Sequence, residues 1–68
     1  MEGQNTDVEL IDINGVAQLL GGINYATIYR GIAAGVYPKP IKIGHLSRWV
    51  KSEWISVIQS RIAERDAS

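Results

Sequence analysis

Two prolines one residue apart, in Tyr37-Pro38-Lys39-Pro40, decide how this chain of 68 residues can be divided. Each proline fixes its own φ, lacks a backbone N–H and pushes its predecessor toward extended geometry, so no helix crosses this segment. Glycines cut the chain further, at Gly21-Gly22, Gly35 and Gly44. The pieces between these breaks are short, and a chain of this length builds one small core. The expectation is therefore one domain over residues 10–66, preceded by a flexible polar arm over residues 1–9.

The pieces have readable periods. Leu10-Ile11-Asp12-Ile13 is β-prone and is a candidate short N-terminal strand. Asn14 then offers an N-cap, and Val16, Ala17, Leu19 and Leu20 recur at helical spacing up to the Gly21-Gly22 stop. Asn24 offers a second N-cap, for a helix over Tyr25–Ala34 with Gly35 as its stop. Ile28 and Ile32 form the inner face of that helix. Ala26, Arg30 and Ala33 lie opposite, flanked by Thr27 and Tyr29. Gly31 marks either a close helix–helix contact or a tolerated cost of about 1 kcal/mol. After the prolines, Ile41-Lys42-Ile43 reads as an in-out-in strand, Gly44-His45 as a hairpin turn, and Leu46-Ser47-Arg48-Trp49 as the return strand. Lys51 to Arg65 reads as a third helix, with Trp54, Ile55, Val57, Ile58 and Ile62 across a broad apolar arc and Arg61 and Arg65 suiting its C-terminal turns. Trp49 and Trp54 are the natural core residues.

Charge narrows the function classes. The formal net charge is zero, yet residues 1–20 hold four acids and no base, residues 21–51 hold five bases and no acid, and the remainder is at −1. A cationic block inside a neutral chain is what a one-sided surface for a polyanion looks like. The chain has no cysteine and a single histidine, His45. Thiolate sites, disulfides, a histidine-rich metal site and a His-centred triad all lack parts, and neither a metal nor a cofactor is expected. Ser47, Ser52, Ser56 and Ser60 have no base beside them, and Gly21-Gly22 belongs to no phosphate-cradling motif. No enzymatic activity is expected. No apolar run reaches the roughly 20 residues of a membrane helix, and Met1–Asn5 is too polar and acidic for a secretory signal. A cytoplasmic protein with no membrane partner is the expectation.

Two short helices joined by a glycine turn, the second with a small polar outer face, followed at once by a basic hairpin, point to an α+β winged helix-turn-helix domain with three helices. Tyr25, Ala26 and Thr27 open the second helix and approach base edges first. The hydroxyl of Thr27 can bond a base, and its methyl and that of Ala26 can meet a thymine methyl. Arg30, one turn later, suits guanine or a phosphate. Tyr29 offers its hydroxyl to a phosphate or sits at the core edge, and Tyr25 reaches the duplex or packs over the turn. Lys39, Lys42, His45, Ser47 and Arg48 supply the wing's contacts to the backbone. Ordinary alternatives stand beside these: Lys42 as a plain solvent-facing lysine, Arg48 as a cation–π cover on Trp49, and the third helix's arc as a stripe for a partner chain.

The ordered set Thr27-Ile28-Tyr29-Arg30, then Ala34-Gly35-x-x-Pro38-x-Pro40-x-Lys42-x-Gly44, then Ser47-Arg48-Trp49-x-x-Ser52-Glu53, resembles the AlpA family of prophage regulators. These are MerR-like winged helix-turn-helix proteins similar to phage excisionases. The resemblance spans residues 9–65. It implies a DNA-binding protein of a prophage or mobile element, acting as a transcriptional regulator or as a directionality factor that bends attachment-site DNA. Thr27, Tyr29 and Arg30 would then belong to the recognition helix, and Lys42, Gly44, Ser47 and Arg48 to the wing. Double-stranded DNA at the bacterial nucleoid is the expected partner, with a second copy of the chain, an integrase or RNA polymerase as candidate protein partners. Two other uses of such a chain are DNA packaging, as in the small subunit of a phage terminase, and a protein-interaction adaptor working through the last helix.

Overall fold

A strand and a helix that follow each other without a break organise this molecule. The computed structural model describes residues 8–67. Along these the order is β1 (Leu10–Ile11), α1 (Ile13–Leu19), α2 (Tyr25–Ala33), β2 (Ile41–Ile43), β3 (Leu46–Val50) and α3 (Lys51–Ala67). β3 is the central strand of a three-stranded sheet ordered β1-β3-β2, antiparallel to both neighbours. Val50 ends it and Lys51 begins α3. The result is a small α+β fold of three helices and one antiparallel sheet among the described residues.

Local chemistry starts and stops each element. Asp12 has extended backbone (φ −90°, ψ −176°), and its carboxylate accepts from the Gly15 N–H at 2.9 Å, so Asp12 is the N-cap of α1. This corrects the expectation for Asn14. The helix begins at Ile13, so Asn14 already lies in its first turn, and only the residue before Ile13 is placed to reach the free N–H groups. α1 ends where Gly21 and Gly22 take φ of +80° and +90°, a region costly for any residue with a Cβ. Their N–H groups satisfy the last carbonyls, Gly21 donating to Gln18 at 3.1 Å and Gly22 to Ala17 at 2.7 Å. Asn24 caps α2 as expected, accepting from the Ala26 N–H at 2.7 Å, and Ala34 is the C-cap. α3 runs to Ala67, slightly beyond its expected end.

The core is Val16, Ala17, Ile28, Trp49 and Trp54. α1 is its hub and packs against α2, α3, β1 and β3. Trp49 and Trp54 are 1% and 0% exposed, each contributing on the order of 3 kcal/mol of burial. Each indole lies against a tyrosine: Tyr29 on Trp49 with ring centroids 6.2 Å apart, and Tyr37 on Trp54 at 5.0 Å. Tyr37 also explains Gly31. A Cβ built there overlaps the Tyr37 ring carbons, so the close neighbour is a side chain from the following loop and not a second helix.

Of the expected N-terminal arm, residues 1–7 lie outside the described residues. Val8 is exposed. Glu9 is held at the start of α3, its carbonyl accepting from the Lys51 N–H at 2.9 Å and its carboxylate 3.6 Å from Lys51 Nζ.

The hairpin's faces are the main correction. Ile41 pairs with Arg48, Lys42 with Ser47 and Ile43 with Leu46, while Ile11 pairs with Trp49 and Leu10 with Val50. Directly opposed residues share a face, and residues alternate along a strand. Buried Trp49 therefore marks the core-side face, which also carries Ile11, Ser47 and Lys42. Ile41, Ile43, Leu46, Arg48, Val50 and Leu10 occupy the other face. Ile41 and Ile43, expected to point inward, are 44% and 49% exposed, and Leu46 beside them is 45% exposed. Lys42 is the residue on the core side, carried far enough along the hairpin to reach solvent beyond Trp49.

Candidate nucleic-acid interface

The second helix supplies one half of the candidate surface. Burying Ile28 fully, with Ile32 half-buried behind it, turns the opposite stripe outward. Tyr25, Ala26, Thr27, Tyr29, Arg30 and Ala33 are all exposed. The Asn24 cap leaves the N-terminal turn open to solvent, with Tyr25 as its first residue, 44% exposed. Thr27 and Arg30 act as a pair, Arg30 Nη2 donating to Thr27 Oγ1 at 3.3 Å. That bond spans one helical turn and holds the guanidinium along the outer face.

The hairpin supplies the other half. Gly44 and His45 form its turn, with His45 exposed. Lys42 Nζ donates to Ser47 Oγ at 2.9 Å across the two strands, on the sheet face that carries Trp49. Arg48 is half-buried on the opposite face, its Nη1 donating to the Ser47 carbonyl at 2.8 Å. Trp49 is covered instead by Tyr29. Lys39, between the two prolines, is exposed.

Tyr29 joins the two halves. It projects from the outward flank of α2 onto Trp49 while remaining 49% exposed. The face of the hairpin that bears Lys42 and Ser47 is thus the face turned toward α2. The contact links the outward flank of α2 to the strand that carries Ser47, opposite which Lys42 is paired. Arg48 belongs by register to the far face. No acid lies anywhere between Asp12 and Glu53, so α2 and the hairpin themselves carry only neutral or basic residues.

Sequence reasoning assigned Arg61 and Arg65 only to the dipole of the last helix. The structure also places them beside Leu19, Leu20 and Tyr37, at the margin of a groove away from α2's outer face. Their spacing from Trp54, seven and eleven residues, was the available signal for that placement. Among the described residues, no cluster of His, Asp or Glu is arranged to hold a metal ion, and no helix is long and apolar enough to cross a membrane. No protein-family model, curated protein or solved structure matches this chain.

Proposed function

We propose that this chain is a winged helix-turn-helix DNA-binding protein of the kind the AlpA-like sequence pattern implies, regulating transcription or directing site-specific recombination for a prophage or mobile element. The observation that carries the reading is the Tyr29–Trp49 contact. It supports a reading in which the exposed Thr27–Arg30 stripe of α2 and the Lys42–Ser47 face of the hairpin meet one duplex.

In this reading α1 and α2 are the helix pair, α2 enters the major groove, and the β2–β3 hairpin is the wing. The first turn of α2 presents Tyr25, Ala26 and Thr27 to base edges. Arg30 exchanges its bond to Thr27 for guanine, the commonest specific pairing of an arginine in the major groove, or for a phosphate. Freed of Arg30, the Thr27 hydroxyl becomes available to a base. Lys39, Lys42, His45 and Arg48 meet the backbone on either side of the wing, and each phosphate neutralised releases counterions. These contacts fix position, while the α2 contacts specify sequence.

Selection of bound duplexes from a random pool, followed by footprinting on the enriched sequence, tests the proposal. The expected outcome is one enriched motif, with protection of a short major-groove segment and of the flanking backbone. A pool that stays random after repeated rounds, with no retained duplex, contradicts it.

A further inference from the structure

A second surface lies apart from the α2 and hairpin residues. α1 has seven residues before its glycine stop, whereas α3 has seventeen. The C-terminal half of α3 consequently overhangs the end of α1 and leaves an open groove of about 400 Å³. Leu19, Leu20 and Tyr37 form its floor, and Ile58 and Ile62 one wall. Ile62 is 44% exposed. The core-facing row of α3 runs from Trp54 through Ile58 to Arg61 and Arg65, at helical spacings of four, three and four. Trp54 is fully buried, and both arginines are exposed at the groove's rim. Arg65 contacts its neighbour Asp66 at 3.0 Å in a pair well open to water, which costs little to break.

We infer that this groove receives an acidic amphipathic segment of a partner protein, its apolar side chains on the Leu19–Leu20–Tyr37 floor and its carboxylates on Arg61 and Arg65. Apolar and charge complementarity coincide at this one place. An apolar floor beneath two guanidinium groups matches a ligand that is apolar on one side and anionic at its edge. A nucleic-acid backbone would use the arginines and leave the floor unused. A second copy seated groove to groove about a two-fold axis would set each molecule's Arg61 and Arg65 near those of its mate, and like charges facing one another disfavour such a pair. The inference stands independently of DNA binding, and the groove shares none of α2's outward residues.

The test uses an acetylated, amidated synthetic helix of about four turns, with leucines spaced three and four apart and glutamate elsewhere, and a control with lysine for glutamate. The readout is the NMR shift of the Leu19, Leu20, Ile58 and Ile62 methyl groups. The acidic peptide is expected to move these methyls saturably and the basic control to leave them in place. Arg61→Glu/Arg65→Glu is expected to weaken the acidic peptide by about tenfold or more and to admit the basic one. Both substituted positions are exposed, and circular dichroism checks that the variant is folded. Equal binding of the two peptides, no shift with the acidic one, or an unchanged affinity in the double variant would overturn the inference. So would a concentration-dependent dimer that occupies these methyls, or a duplex DNA that moves them as the peptide should.

Discussion

The ring of Tyr29 lies 6.2 Å from the indole of Trp49, centroid to centroid, tilted by 57°. Tyr29 is on α2 and Trp49 on β3, so this contact joins the helix proposed to read DNA to the hairpin proposed to flank it. Aromatic pairs of this tilted geometry contribute about 0.5–1.5 kcal/mol beyond their burial. Tyr29→Phe keeps the ring and is expected to leave thermal stability unchanged. Tyr29→Ala should lower stability by roughly 1–2 kcal/mol, measured by urea titration, and should weaken duplex binding more than Tyr29→Phe does. A loss of stability as large in the phenylalanine variant would show that the hydroxyl, not the ring, holds the two elements together.

Gly31 gives a prediction against helix propensity. Alanine is worth about 1 kcal/mol over glycine inside a helix, so a surface glycine in α2 would be improved by Gly31→Ala. Here the new methyl overlaps the Tyr37 ring, which itself packs on Trp54 at 5.0 Å. Overpacking of that kind costs about 1–3 kcal/mol, so the net effect is expected to be destabilising. A double-mutant cycle with Tyr37→Leu should recover part of the loss. A stabilised Gly31→Ala protein would contradict the packing.

The caps separate two neighbouring polar residues. Asp12→Ala is expected to cost about 1 kcal/mol, since its carboxylate holds the Gly15 N–H at 2.9 Å. Asn14→Ala is expected to change stability by less than about 0.5 kcal/mol, as exposed substitutions away from special features do. The reverse order in a denaturant series would move the start of α1.

Much of the fold was legible in the chain. Pro38 and Pro40, the glycine stops and the Asn24 cap bound α2 and the hairpin to within a residue or so. Trp49 and Trp54 declared themselves as core by size alone. The cap of α1 was misplaced because Asp12 lies inside a β-prone run, and asparagine and aspartate are equally good caps. The hairpin's faces were not legible for a different reason. A period of two tells that Lys42 opposes its neighbours, but not which parity points inward. β2 has only three residues, and two isoleucines around one lysine suggest the wrong choice. The pairing of Lys42 with Ser47, two residues before buried Trp49, settles it. The groove beside α3 depends on α1 stopping short, which only the relative placement of two helices reveals.

That corrected register has its own consequence. Ile43→Thr and Leu46→Thr alter exposed side chains on the outer sheet face and are expected to leave the melting temperature nearly unchanged. Trp49→Ala removes a buried indole at a cost of about 3–5 kcal/mol, comparable with the whole stability of a domain this small, and should leave the protein largely unfolded. Thermal scans followed by circular dichroism check both. Unfolding by the two threonine variants would return Ile43 and Leu46 to the core.

The most direct measurement is the affinity of the native protein, of Arg30→Ala and of Lys42→Ala for one selected duplex across a range of salt concentrations. Native affinity is expected to fall steeply and linearly on a logarithmic salt scale. Lys42→Ala should bind more weakly with a slope shallower by about one, and Arg30→Ala, still folded, should lose about 1–3 kcal/mol of discrimination against a changed base. Affinity that is weak throughout, indifferent to salt and untouched by either substitution would contradict the proposed DNA binding.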